Sequence, residues 1–178
     1  MQDFVHLPPF TDDGDVLVVV ETPRGSRAKF AYDPGLRSFI LSKSLLTGLS
    51  YPHDWGFVPS TKADDGDPID IMIIHDAATF PGLVMACRVI GILQIEQKNK
   101  NKHERNDRLF AVPRRSHSEL GLRDARDLSK PIQQELEKFF IATDELESKT
   151  LKIIGWKGPK AAVKAIKDAA KMFGKHDR

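Results

Sequence analysis

The stretch Asp64–Ile74, DDGDPIDIMII, sets four acidic side chains within seven residues and then runs without a break into an apolar segment. In an extended chain successive side chains alternate faces, so Asp65 and Asp67 point one way and Asp70 the other. Gly66 permits a bend between them, while Pro68 fixes its own φ and pushes Asp67 out of the helical region. Three carboxylates, Asp65, Asp67 and Asp70, are therefore expected to converge where the strand begins. Like charges gathered at low dielectric repel one another or take up protons, and a hard divalent cation removes the conflict. Oxygen-only donors and few carboxylates favour Mg²⁺ or Mn²⁺. The spacing is not that of an EF-hand, which needs a Glu at its twelfth position. The bland alternative is a polar turn leading into a strand.

Outward from this stretch, short apolar runs alternate with turn chemistry. VLVVVETP ends at Pro23, RGSR turns into AKFAYD, Asp33-Pro34-Gly35 turns into SFILS, and WGFVPS, LVMACRVIGIL and RLFAVP follow at similar spacing. Two later segments carry helical periodicity. SKPIQQELEKFFIATDELES has Ser129 as a candidate N-cap, Pro131 in its first turn, and apolar residues at Ile132, Leu136, Phe139, Phe140 and Leu146. PKAAVKAIKDAAKMFG repeats Ala162, Ile166, Ala169 and Phe173 and is expected to stop at Gly174. Short strands followed by helices predict an α+β fold, mainly β: a small five-stranded OB-like antiparallel barrel with flanking helices, as a single domain over residues 1–178.

Composition narrows the function classes. The net charge of +2 is too small to argue for a polyanionic partner by itself. The lysines of the last helix lack interleaved aromatics, so a solvated surface is expected and nucleic acid is not. Cys87, the single cysteine, lies in an apolar run and is expected to be a small core residue in a reducing compartment. The N-terminal segment has acids and prolines where a secretory signal needs bases and apolar residues, and no apolar tract reaches membrane-spanning length; a cytoplasmic protein with no membrane partner is expected.

Other charged residues suit phosphate chemistry. Glu21 closes an apolar strand, where an acid would ordinarily be avoided, and Lys29 follows across a turn. Lys43 and Arg108 add positive charge of the kind that clamps transferring phosphoryl groups.

Taken together, VVVETPRGSRAKFAYD, YPHDWGFVPST and DDGDPIDIMII resemble the soluble inorganic pyrophosphatases of the OB-barrel type. Their signature is D-x-D-P-x-D before an apolar strand, here preceded by Tyr51-Pro52 and the aromatic–Gly–aromatic run Trp55-Gly56-Phe57. The similarity runs in order from about Asp15 to Trp156. It implies Mg²⁺-dependent hydrolysis of diphosphate by a homo-oligomer, with Glu21, Asp65 and Asp70 as metal ligands, Asp67 as general base and Lys29 as a phosphate contact. The chain departs from the family pattern within the site. Ala31 replaces a second acid, Lys43 an arginine, Trp55 a tyrosine, and Thr143-Asp144 a Tyr-Lys pair. Later ligands stay open: anchoring on AVP puts Asn106 at an Asp position and Arg108 at a Lys position, a one-residue shift would use Asp107, and Glu96 is a substitute where Gln97 stands at the expected acid.

Two alternatives accompany this reading. Loss of the Tyr-Lys pair, with Trp55 as a stacking surface, would suit an organic or nucleotide diphosphate. A barrel with basic segments at Lys98–Lys102 and Lys160–Lys175 would suit non-catalytic nucleic-acid binding, although an acidic mouth would repel a phosphate backbone.

Overall fold

The computed structural model describes residues 3–99, 102–115, 121–145 and 150–176. Five strands pair in a closed ring: β1 (Val16–Thr22), β4 (Asp54–Val58), β5 (Ile69–Ile73), β8 (Arg108–Pro113) and β6 (Val84–Asn99), which returns to β1. All ring pairings are antiparallel except β5 with β8, which is parallel. That exception refines the expected all-antiparallel ring, and it follows from the path of the chain, which makes β6 and β7 (Lys102–Arg105) before β8. The far half of β6 leaves the ring to pair with β7 and with β9 (Thr150–Lys157). A separate hairpin, β2 (Ala28–Asp33) with β3 (Ser38–Ser44), carries Lys29 opposite Lys43.

The unbroken apolar run after the acids is explained by burial on both faces of β5. Ile69, Ile71 and Ile73 join a core with Val18, Val20 and Leu109, sealed by Ala162, Ile166 and Ala169 of α2 (Pro159–His176). Met72 and Ile74 face the opposite way, into a second core with Trp55, Phe110 and Val112, sealed by Leu136, Phe139 and Phe140 of α1 (Lys130–Glu145). Burying a side chain such as Leu136 contributes roughly 1.5–3 kcal/mol, so each helix is held by its apolar stripe more than by propensity. Cys87 is fully buried in the first core, as expected.

Ser129 stands immediately before α1, and Pro131 lies in its first turn. Leu146 lies outside the described residues. Gly174 does not stop α2, which continues to His176; the glycine keeps a negative φ, and nothing forces the chain into a left-handed cap there. Strands β7 and β9 add to the expected strands. Among the described residues no helix is long and apolar enough to cross a membrane.

Candidate active site

Each acid reaches the site through a specific distortion of the backbone. Between β1 and β4 the register places Val20 opposite Gly56 and Thr22 opposite Trp55, so Glu21 is the extra residue of a β-bulge. Close approach of the two strands depends on Gly56, where an added Cβ would lie 2.0 Å from the Val19 carbonyl oxygen. Glu21 is thereby turned inward, 9 % exposed, with Oε1 accepting from the Tyr32 backbone N–H at 2.7 Å. Burial raises its pKa to about 7, and the nearby Asp70 and Asp67 charges push in the same direction against Lys29.

The loop before β5 is folded by its own backbone. Gly66 takes φ +95, its N–H donates to the Ala63 carbonyl, and the Ala63 N–H donates to the Asp67 carbonyl. The Asp67 N–H donates to Asp65 Oδ1 at 3.2 Å. Thr61 anchors the base of the loop: its hydroxyl donates to the Val58 carbonyl and accepts from the Ile69 N–H. Asp65 and Asp67 stay exposed while Asp70 is partly buried. Although Asp65 keeps solvent contact, desolvation by the surrounding loop lifts its pKa above the usual carboxylate range, and the Asp70 and Asp67 charges add to it.

Glu21, Lys29, Asp67 and Asp70 line one cavity of about 430 Å³, closed on other sides by Tyr32, Phe57 and Phe173. The acids open toward this shared space rather than meeting at a point. Among the described residues no three His, Cys, Asp or Glu side chains are gathered closely enough to cage an ion.

On the β8 side the arrangement differs. The parallel register sets Ile71 beside Leu109, so the preceding residues, Asp70 and Arg108, are neighbours on the same face. Arg108 is 5 % exposed and donates from Nη1 to Asp70 Oδ2 at 2.6 Å and to Asn106 Oδ1. Its Nη2 lies 3.9 Å from Asp144 Oδ2, and its guanidinium carbon lies 5.4 Å from the Trp55 ring centre and 6.0 Å from that of Phe140. Gln97 completes the network, accepting from Asn106 Nδ2 at 2.7 Å and donating to Asp144 at 3.3 Å.

A family model described as inorganic pyrophosphatase matches residues 18–174. The chain belongs to the inorganic pyrophosphatase family. It is 33% identical over 171 residues to an inorganic pyrophosphatase of Synechocystis, covering 96% of this chain and 99% of that one. A Nostoc inorganic pyrophosphatase is 35% identical over 154 residues, covering 86% and 89%. The crystal structure of inorganic pyrophosphatase from Thermus thermophilus superposes with a TM-score of 0.87 at 30% identity, covering 97% of this chain and 99% of that one.

The structure gathers Glu21, Lys29, Asp67 and Asp70 on one cavity, with Asp65 outside its lining but bonded to the Asp67 N–H, and Arg108 and Asn106 on the far side of Asp70. Lys43 is next to Lys29 and donates to the Thr143 carbonyl at 3.0 Å. Glu96 is not brought in. It follows the alternation of β6 away from Gln97, and its carboxylate bonds with His103 Nδ1 at 2.9 Å on the exposed face. Asp107 also turns aside, accepting from the Ile95 N–H at 2.9 Å and from Arg105 at 2.9 Å, so Asn106 is the member of that pair inside the network. Trp55 is 4 % exposed, packed against Tyr51, Phe140 and Arg108, and offers no open stacking face. Asp144, which stands where the family pattern has a Lys, is buried and directed at Arg108 and Gln97. The supporting roles of Gln97 and Phe140 had no signal beyond an amide at an acid's position and an apolar helix stripe.

Proposed function

We propose that this chain is a metal-dependent enzyme that hydrolyses inorganic diphosphate to two phosphates, with Asp67 as general base. The observation that carries it is the shared cavity, which sets the bulged Glu21, Lys29, Asp67 and Asp70 around one space. The donors fit a hard divalent cation: they are carboxylate oxygens, and Glu21 is an acid whose pKa is driven up by burial and by the neighbouring Asp70 and Asp67 charges. Glu21, Asp65 and Asp70 would hold Mg²⁺, with Mn²⁺ as a substitute. Bound ions of this kind lower the pKa of water toward neutrality and offset the charge of a transferring phosphoryl group.

The remaining work falls to the protein. Asp67, exposed at the rim and held by the Gly66 bend, accepts the proton of the attacking water. Lys29 lies on the cavity wall and holds phosphate oxygens, with Lys43 beside it across the hairpin. No covalent intermediate is needed. The burial of Trp55 removes the stacking surface on which a nucleotide or other organic diphosphate would depend. In this reading the chain works as one cytoplasmic domain within a homo-oligomer, acting on free diphosphate.

The test is phosphate release from inorganic diphosphate with and without Mg²⁺, alongside Asp67→Asn. Release that requires the metal and collapses in the variant is expected. Undiminished release by Asp67→Asn would remove the assignment of the base, and no release by the folded wild-type chain would remove the reaction.

A further inference from the structure

The cluster on the β8 side of Asp70 has the composition of a cation site, yet a side chain sits in it. The groups that surround the Arg108 guanidinium are oxygens: Asp70 Oδ2 at 2.6 Å, Asn106 Oδ1, and Asp144 Oδ2 at 3.9 Å. Carboxylate and amide oxygens are the donors that a hard divalent ion also selects. Arg108 is almost wholly buried between the Trp55 and Phe140 rings, whose faces favour a cation, and its Nε–H has no hydrogen-bond partner. The amide pair Gln97–Asn106 adds hydrogen bonds without adding negative charge, and the carboxylates that Arg108 pairs with among the described residues are Asp70 and Asp144. A buried cation of this kind is retained only with such compensation.

We propose that Arg108 is a resident cation of the active site, filling with its own guanidinium the position beside Asp70 that a divalent ion would otherwise occupy. Asp144 and the Trp55–Phe140 pair are positioning residues that hold it there. The proposal rests on the metal-dependent reading given above. It makes Asp70 a divided ligand: one oxygen is committed to Arg108, and the carboxylate also borders the cavity with Glu21 and Asp67. Bound ions then collect on the Glu21 side only. It also accounts for Asp144, whose charge is directed at Arg108 and withdrawn from the cavity.

The test counts Mn²⁺ ions bound per full-length chain by electron paramagnetic resonance, without diphosphate, for the wild type, Arg108→Gln and Asn106→Asp. Arg108→Gln should bind one more ion than the wild type, because the three oxygens lose their guanidinium. Asn106→Asp, which adds an acid with Arg108 still in place, should bind the wild-type number. An unchanged count in Arg108→Gln, or an extra ion in Asn106→Asp, would overturn the proposal. Should Arg108→Gln not fold, the count for Asn106→Asp decides alone. Phosphate release by the same wild-type sample separates the two readings: its absence sinks the reaction, while the ion counts still judge Arg108.

Discussion

The two flanks of Asp70 handle negative charge in opposite ways. Toward β1 and the Gly66 loop stand Glu21, Asp65 and Asp67, with burial and mutual repulsion raising the pKa of Glu21 and Asp65. Toward β8 stand Arg108, Asn106, Gln97 and Asp144, where charges are matched by hydrogen bonds inside the protein. In the proposed reading the first flank is completed by ions from solution, while the second is completed by the fold. Catalytic chemistry is therefore expected to be sensitive on the first and structural integrity on the second.

The sharpest way to break this contrast is Asp67→Asn. It should lower Mg²⁺-dependent phosphate release by about 10²–10⁴-fold, the range for loss of a general base, with an unchanged urea midpoint. A large shift in that midpoint would show that Asp67 belongs to the structural flank. Arg108→Ala should do the reverse of Asp67→Asn on stability, costing about 3–5 kcal/mol in denaturant unfolding by leaving Asp70 and Asp144 without their buried partner. A loss under about 1 kcal/mol would mean that the β8 flank is as solvated as the other.

A smaller effect comes from Glu21. Its pKa of about 7 in the folded protein exceeds the ordinary value of 4.5, so between those values the folded state holds the proton that the unfolded state releases. Stability of the metal-free protein should accordingly fall as pH rises from about 4.5 to 7, by up to about 3 kcal/mol, and stay level from this group outside that window. Glu21→Gln should flatten the slope; an identical slope in the variant would assign it elsewhere. The smallest change is Lys171→Ala on the exposed face of α2, where Lys171 lies 3.9 Å from Asp168: less than about 0.5 kcal/mol in thermal unfolding is expected.

The acidic flank was legible in the sequence because its signals are local. Gly66 and Pro68 bracket Asp67, and the apolar run behind Asp70 announces a buried strand. Glu21 was legible as an acid ending an apolar strand, although the bulge that aims it depends on a partner strand distant in sequence. The other flank was legible only in part. Whether Glu96 or Gln97, and Asn106 or Asp107, faces inward is a matter of parity along β6 and across the turn from β7 to β8. A bulge at Ile90 changes the phase of β6, and residues of one short window cannot reveal it. Strand β9 was missed because its exposed and half-buried residues alternate over only a short length. The partners of Asp144, Arg108 on β8 and Gln97 on β6, lie far from it in sequence and leave no mark in its own helix.

The length of β6 bears on how the molecule assembles. This one strand, Val84–Asn99, joins β1, β7, β8 and β9, and its pairing of Cys87 with Val16 closes the ring between segments far apart in the chain. Hairpins such as β2–β3 can form quickly from neighbouring residues, whereas such distant pairings make folding slow. Glu21, on β1, meets Asp70, on β5, only once β4 has bridged the two strands. In a refolding experiment, catalytic competence should therefore lag behind the recovery of helix and hairpin signals.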